Sequence, residues 1–248
     1  MENSGTQIFI GLLIAVSCFS GKLHAQNKLE FESALNEKQQ QIIAISALTA
    51  KGDLTGLKPE LHAGLDAGLS INQIKEVIIH LYAYCGFPRS IRGLQTFMEV
   101  LDERKAKGIV DETGASASVV TDERSKYERG KKNLEKLTGV SQAGPGAGYT
   151  TFAPVIEVFL KEHLFADIFE RDVLTFAERE LVTIAVISSI GGAEPMLRSH
   201  LNICLNVGLT QQQLQHFVTI IRSTLGKEEA KAAQTTLEEV LGSRDDQP

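Results

Sequence analysis

Near the middle of the first half, Tyr82-Ala83-Tyr84-Cys85-Gly86-Phe87-Pro88-Arg89 closes the apolar run Ile74-Lys75-Glu76-Val77-Ile78-Ile79-His80-Leu81. Two phenols, a thiol, a guanidinium, a carboxylate and an imidazole fall within about four helical turns, beside a Gly and a Pro that break a helix. In the second half the chemistry-bearing types are Glu180, Arg198 and His200. A carboxylate backing an imidazole moves a proton, a guanidinium holds an anion, and a phenol donates to a developing oxyanion. A thiol at Cys85 serves redox chemistry only if it ionises.

These residues need elements to position them, and the sequence points to helices. There is no sustained period-two alternation, Trp is absent, aromatic residues are 6%, and apolar residues recur at helical spacing. Asn36 caps a helix through Leu48 that ends near Gly52, a second helix spans Leu57 to Ala67, and Ser70 caps a run to Tyr84. After Pro88 another helix reaches about Lys107 and stops at Gly108.

The chain also resembles itself. Gly64-Leu65-Asp66-Ala67-Gly68-Leu69-Ser70 matches Cys204-Leu205-Asn206-Val207-Gly208-Leu209-Thr210 at an offset of 208 − 68 = 140. Carried without gaps, this offset pairs Gly52 with Gly192, Gln73 with Gln213 and Glu99 with Glu239. The expected fold is therefore all-α and duplicated: a first unit at 30–108, a small polar linker at 109–122 and a second unit at 123–245. Within this register Glu180 answers to Gln40 and His200 to Glu60, while Tyr82, Tyr84, Cys85 and Arg89 answer to Arg222, Thr224, Leu225 and Glu229. Each unit has kept polar residues that the other lost, which predicts two half-sites facing each other in one composite pocket.

Residues 1–25 read as a secretory signal: Ile8 to Phe19 is apolar but too short to span a membrane, and Leu23-His24-Ala25 precedes the cut. The expected location is periplasmic or secreted, and cytoplasmic if the segment is not a signal. Removal leaves Cys85 and Cys204, with no Cys-x-x-Cys pair. A net charge of −6 and the absence of a Lys/Arg block argue against nucleic acid or an anionic membrane surface as partner.

Gly64-Leu65-Asp66-Ala67-Gly68-Leu69 with Glu76 and Tyr82 to Pro88, then Arg179-Glu180-Leu181, Leu197-Arg198-Ser199-His200 and Leu205 to Thr210, together resemble the carboxymuconolactone decarboxylase family, which includes the alkylhydroperoxidase D type. The resemblance implies an all-helical protein assembled into trimers or hexamers, acting on a small acidic or lactone substrate without metal or organic cofactor. In the alkylhydroperoxidase branch a Glu, a Cys-x-x-Cys pair and a His form a proton relay and redox couple. Glu180 and His200 look like that Glu and His, but Gly192 and Pro195 stand where the cysteines belong, so disulfide cycling there is absent.

Three functional classes follow. The first is a cofactor-free decarboxylase or lactone-processing enzyme, with His200 as acid backed by Glu180, Arg198 or Arg89 on the substrate carboxylate, Tyr84 as oxyanion donor, and Tyr82 and Glu76 as further substrate contacts. The second is a peroxidase using Cys85 with an external thiol. The third is an oligomeric binding protein that kept only the fold.

Overall fold

The computed structural model describes residues 34–142, 144 and 148–245; the expected signal at 1–25 and the start of the first unit at residue 30 lie outside them. All regular structure among the described residues is helical. The first unit comprises α1 (Glu37–Lys51), α2 (Leu54–Asp66), α3 (Ile71–His80) and α4 (Tyr82–Ala106). Next come α5 (Lys126–Thr138), the short α6 (Tyr149–Phe152) and α7 (Pro154–Val158), and a π-helical stretch, π1 (Phe159–Ile168). The second unit then repeats the first as α8 (Phe176–Ile190), α9 (Glu194–Asn206), α10 (Gln211–Thr224) and α11 (Lys227–Asp245).

Local signals explain the helix ends. Asn36, Ser70, Thr175 and Thr210 each form a capping box with a Gln or Glu three residues on, giving α1, α3, α8 and α10 identical starts. The caps refine the repeat. Asn36 and Thr175 differ by 139, as do the C-caps Gly52 and Gly191, whereas Ser70 and Thr210 differ by 140. One extra residue thus lies in the α8–α9 turn, and the gapless offset holds only after it. Gly52 answers to Gly191 rather than Gly192, and Glu180 to Gln41 rather than Gln40.

α1 and α8 are the central pair and pack on each other. Residues 42–50 of α1 and 179–189 of α8 are buried without a break, as expected for a helix surrounded on all sides. Their buried hydroxyls Ser46, Thr49 and Ser189 donate to carbonyls four residues back, whereas Ser188 Oγ on α8 is buried without a partner. One apolar cluster draws on both repeats, and both lie in one compact unit beginning at Leu35. A second cluster, with Leu137, Phe165 and Phe169, joins α5 and π1. There Gly130 is required: a Cβ on it would lie 1.7 Å from the Lys161 carbonyl oxygen.

The polar stretch after α4 has no regular structure but is tied down. Ile71 and Asn72 donate their backbone N–H groups to Glu112 and Thr113 at 2.9 Å, and Ser118 N–H donates to Asp172 at 2.8 Å. α4 itself kinks at Gly86, whose φ of 79° and ψ of 162° interrupt the helix between Cys85 and Phe87.

Candidate active site

Because α8 starts at a capping box, its first turns carry Arg179, Glu180 and Thr183 at fixed angles. Glu180 is fully buried and its Oε2 lies 2.7 Å from His200 Nδ1, presented by α9. The imidazole keeps 13% of its side-chain surface exposed, so the pair connects a buried carboxylate to a partly open ring. The other oxygen, Glu180 Oε1, is buried with no hydrogen-bond partner. Cys204, one turn beyond His200, is buried as well; burial, then the Glu180 charge, pushes its thiol well above the usual range.

The adjoining wall comes from the other repeat. Tyr84 lies between two imidazoles: its ring stacks on His80 at 5.6 Å and meets His200 edge-on at 6.1 Å. Its hydroxyl is 3.2 Å from Thr183 Oγ1, which lies 3.0 Å from His80 Nε2. Arg179 Nη1 is 3.1 Å from His80 Nδ1, and a guanidinium can only donate. His80 Nδ1 is therefore the acceptor, and Nε2 carries the proton it donates to Thr183. Burial first, then the positive charge of Arg179, hold the His80 pKa well below its ordinary value, so the ring is neutral. Burial, with the Glu180 charge adding to it, raises Tyr84 far above the usual phenol range, so it stays protonated.

Beneath this layer is a buried charge cluster. Arg179, fully buried, donates to Glu76 Oε1 at 2.8 Å and to the Arg171 carbonyl; the Arg171 guanidinium donates to both Glu76 oxygens at 2.9 and 3.0 Å. Glu76 and His80 stand one helical turn apart but do not bond each other. Instead both are held by Arg179, whose two terminal nitrogens each take one.

The structure thus brings Tyr84 together with Glu180 and His200, and leaves other expected residues outside. Arg198 faces away from His200, as two positions on a helix require, and is bonded to Glu239 on the surface. Arg89 lies against Gly52: a Cβ there would fall 1.3 Å from Arg89 Nη1, so the glycine makes room for the guanidinium. Tyr82 stacks on Phe87 at 4.5 Å and packs beside His163. Cys85 donates its thiol to the Leu81 carbonyl of its own helix at 3.2 Å; burial pushes its pKa up to about 11, with Arg89 opposing the shift. An unionised thiol is a poor nucleophile, which disfavours the peroxidase reading. Among the described residues no group of three or more His, Cys, Asp or Glu side chains is placed to hold a metal ion, and no helix is long and apolar enough to cross a membrane.

Thr183 and Arg171 were missed from sequence, and Arg179 was noted only as part of a motif. An Arg one residue before Glu180 reads as a solvated helix start; only its full burial reveals it as an anchor.

Comparison with known proteins agrees with this architecture. The model of the carboxymuconolactone decarboxylase family matches residues 22–97 and 157–239, one segment in each repeat. The 4-carboxymuconolactone decarboxylase of Acinetobacter baylyi is 33% identical over 83 residues, 34% of this chain and 61% of its own length. An uncharacterized protein of Methanocaldococcus jannaschii is 26% identical over 70 residues, 28% of this chain and 65% of its own length. The chain therefore spans less than two thirds of either relative. Since the two family segments cover well over half of the sequence, the chain belongs to the carboxymuconolactone decarboxylase family.

Proposed function

We propose that the protein is a cofactor-free decarboxylase or lactone-processing enzyme acting on a small carboxylated substrate. The observation that carries this reading is the 2.7 Å contact between buried Glu180 and partly exposed His200, with Tyr84 against the imidazole. Loss of CO2 from a carboxylated lactone breaks one C–C bond and leaves its electron pair in the conjugated carbonyl. The resulting enolate then needs one proton at carbon. His200, with Nδ1 bonded to the Glu180 carboxylate, delivers that proton from Nε2 and recovers it from solvent. Tyr84 stays protonated and donates to the developing oxyanion, where a hydrogen bond is worth more than in the ground state. Glu180 Oε1, buried without a donor, is an acceptor that a substrate hydroxyl or acid proton would satisfy.

The test is direct. Purified protein is incubated with 4-carboxymuconolactone, the substrate in the A. baylyi relative's name, with EDTA present, while CO2 release is followed. Turnover that Glu180→Gln removes supports the reading; turnover equal in wild type and Glu180→Gln sinks it.

We also infer that the working form is a homo-oligomer, a trimer or hexamer. Phe152, Val155 and Phe159 are exposed on consecutive turns of α6, α7 and π1, and Phe87 is exposed beyond the kink of α4. Large apolar side chains left in water on one segment favour burial against a copy. Light scattering on the purified chain tests this, and a monomer at micromolar concentration overturns it.

A further inference from the structure

The duplication gives the candidate active site a counterpart that nothing so far has used. Matched by helix caps, Glu180 answers to Gln41 (180 − 139), and His200 and Tyr84 answer to Glu60 (200 − 140) and Thr224 (84 + 140). These three counterparts converge. They line one cleft of about 420 Å³ formed by α1 and α2 with the end of α10, as α8 and α9 with the start of α4 form the active site. Of the other lining residues, Gln40, Ala44 and Ile220 answer to Arg179, Thr183 and His80, which stand beside that pair.

The cleft differs from its counterpart in ways that dictate a ligand. Where the active site has the phenol of Tyr84, the cleft has the smaller Thr224, so space opens. The polar pair persists in altered form. With its amide nitrogen turned toward α2, Gln41 donates to Glu60 Oε2 at 2.9 Å and to the Glu60 carbonyl at 3.2 Å. Gln41 and Glu60 thus reproduce the Glu180–His200 contact with the carboxylate moved to the other helix. Asp53, which caps α2 through Gly56 N–H at 2.9 Å, adds a second carboxylate at the rim. No Lys or Arg lines the cleft; Arg89, against Gly52, the residue before Asp53, lies outside the lining. The nearby Lys51 is held by Glu229 at 2.7 Å, and Lys58 by Glu103 at 2.5 Å.

We propose that this cleft is a second ligand site, taking a small organic cation: a primary ammonium on a short apolar body. The ammonium would face Glu60 and Asp53, and the body would lie against Leu48 and Ile220 on the cleft floor. The volume suits a molecule of roughly ten heavy atoms, within the size range of ligand pockets. The two carboxylates exclude anions, so the carboxylated compounds proposed for the Glu180 site do not compete here.

Benzylammonium and benzoate share a ring and differ in charge. Titrated separately into the full ¹⁵N-labelled chain at pH 7, benzylammonium is expected to shift the Gln41, Gly56 and Thr224 amides saturably, whereas benzoate leaves them unmoved. Glu60→Gln should weaken benzylammonium at least tenfold, and Thr224→Tyr, which restores the bulk found at Tyr84, should abolish its binding. Both variants lie outside the Glu180–His200 pair, so lactone turnover should not change. No saturable shift, equal shifts with benzoate, or unaltered affinity in Glu60→Gln would overturn the proposal. Should Thr224→Tyr fail to fold, the Glu60→Gln comparison decides.

Discussion

Glu180 and His200 face each other across two helices at 2.7 Å, the carboxylate out of reach of solvent and the imidazole at its edge. A pair acting as one unit should be lost as one unit. Glu180→Gln and His200→Asn are each expected to lower kcat by about 10²–10⁴, the usual worth of general acid–base catalysis. The double variant should be little worse than either single, because removing one partner already disables the other. Multiplying penalties in single-turnover assays would mean that the two residues work independently.

Arg179 and Glu76 predict a stability effect rather than a catalytic one. Both are buried, so Glu76→Gln removes the carboxylate charge that Arg179 meets at 2.8 Å and leaves a buried guanidinium without it. Breaking a buried pair from one side costs about 3–5 kcal/mol. Removing both charges, as Arg179→Met with Glu76→Leu, should cost less than the sum of the single changes by more than about 1 kcal/mol. Strictly additive urea-denaturation energies would show that the pair is not coupled.

His80 should make the fold acid-sensitive. Its pKa is held below the ordinary value in the folded protein, so below about pH 6.5 the unfolded chain binds a proton that the folded chain does not. Stability then falls as pH falls, with a slope approaching 1.4 kcal/mol per pH unit, roughly, until the folded value is reached. The groups facing His80 are Arg179, Thr183, Tyr84 and Phe169, with the His200 charge acting from beyond Tyr84, and none is a carboxylate able to accept the added charge directly. His80→Gln should lack this slope in denaturation measured at pH 7.5, 6.5 and 5.5. Parallel curves for wild type and variant would locate the acid sensitivity elsewhere.

Cys85 should be inert at neutral pH. With a pKa near 11, its alkylation by iodoacetamide should rise about tenfold per unit between pH 7 and 10. A rate that plateaus near pH 7 would instead reveal a thiolate and restore the peroxidase reading.

Much of this molecule could be read in its sequence, and the reasons are local. Cap residues with a Gln or Glu three positions later, the left-handed glycines and the helical apolar spacing all act over a few residues, so the repeat and the helical class were legible. The partners of polar side chains were not. Arg198 resembles a substrate clamp until Glu239, 41 residues away, is seen to hold it. Glu76 and His80 have the spacing of a pair, yet Arg179, about a hundred residues on, takes both. The shift from 140 to 139 rests on a single inserted residue in a turn, which motif matching over the longer helices cannot detect.

Tyr84 reaches the second unit's acid and imidazole, while the end of α10 closes the cleft of the first. Each half of the chain therefore supplies a part to a site that the other half begins. Cut within residues 109–122, the protein is expected to yield two fragments with neither site whole until they reassociate. The two matching units are thus mutually dependent, since neither holds a whole site by itself.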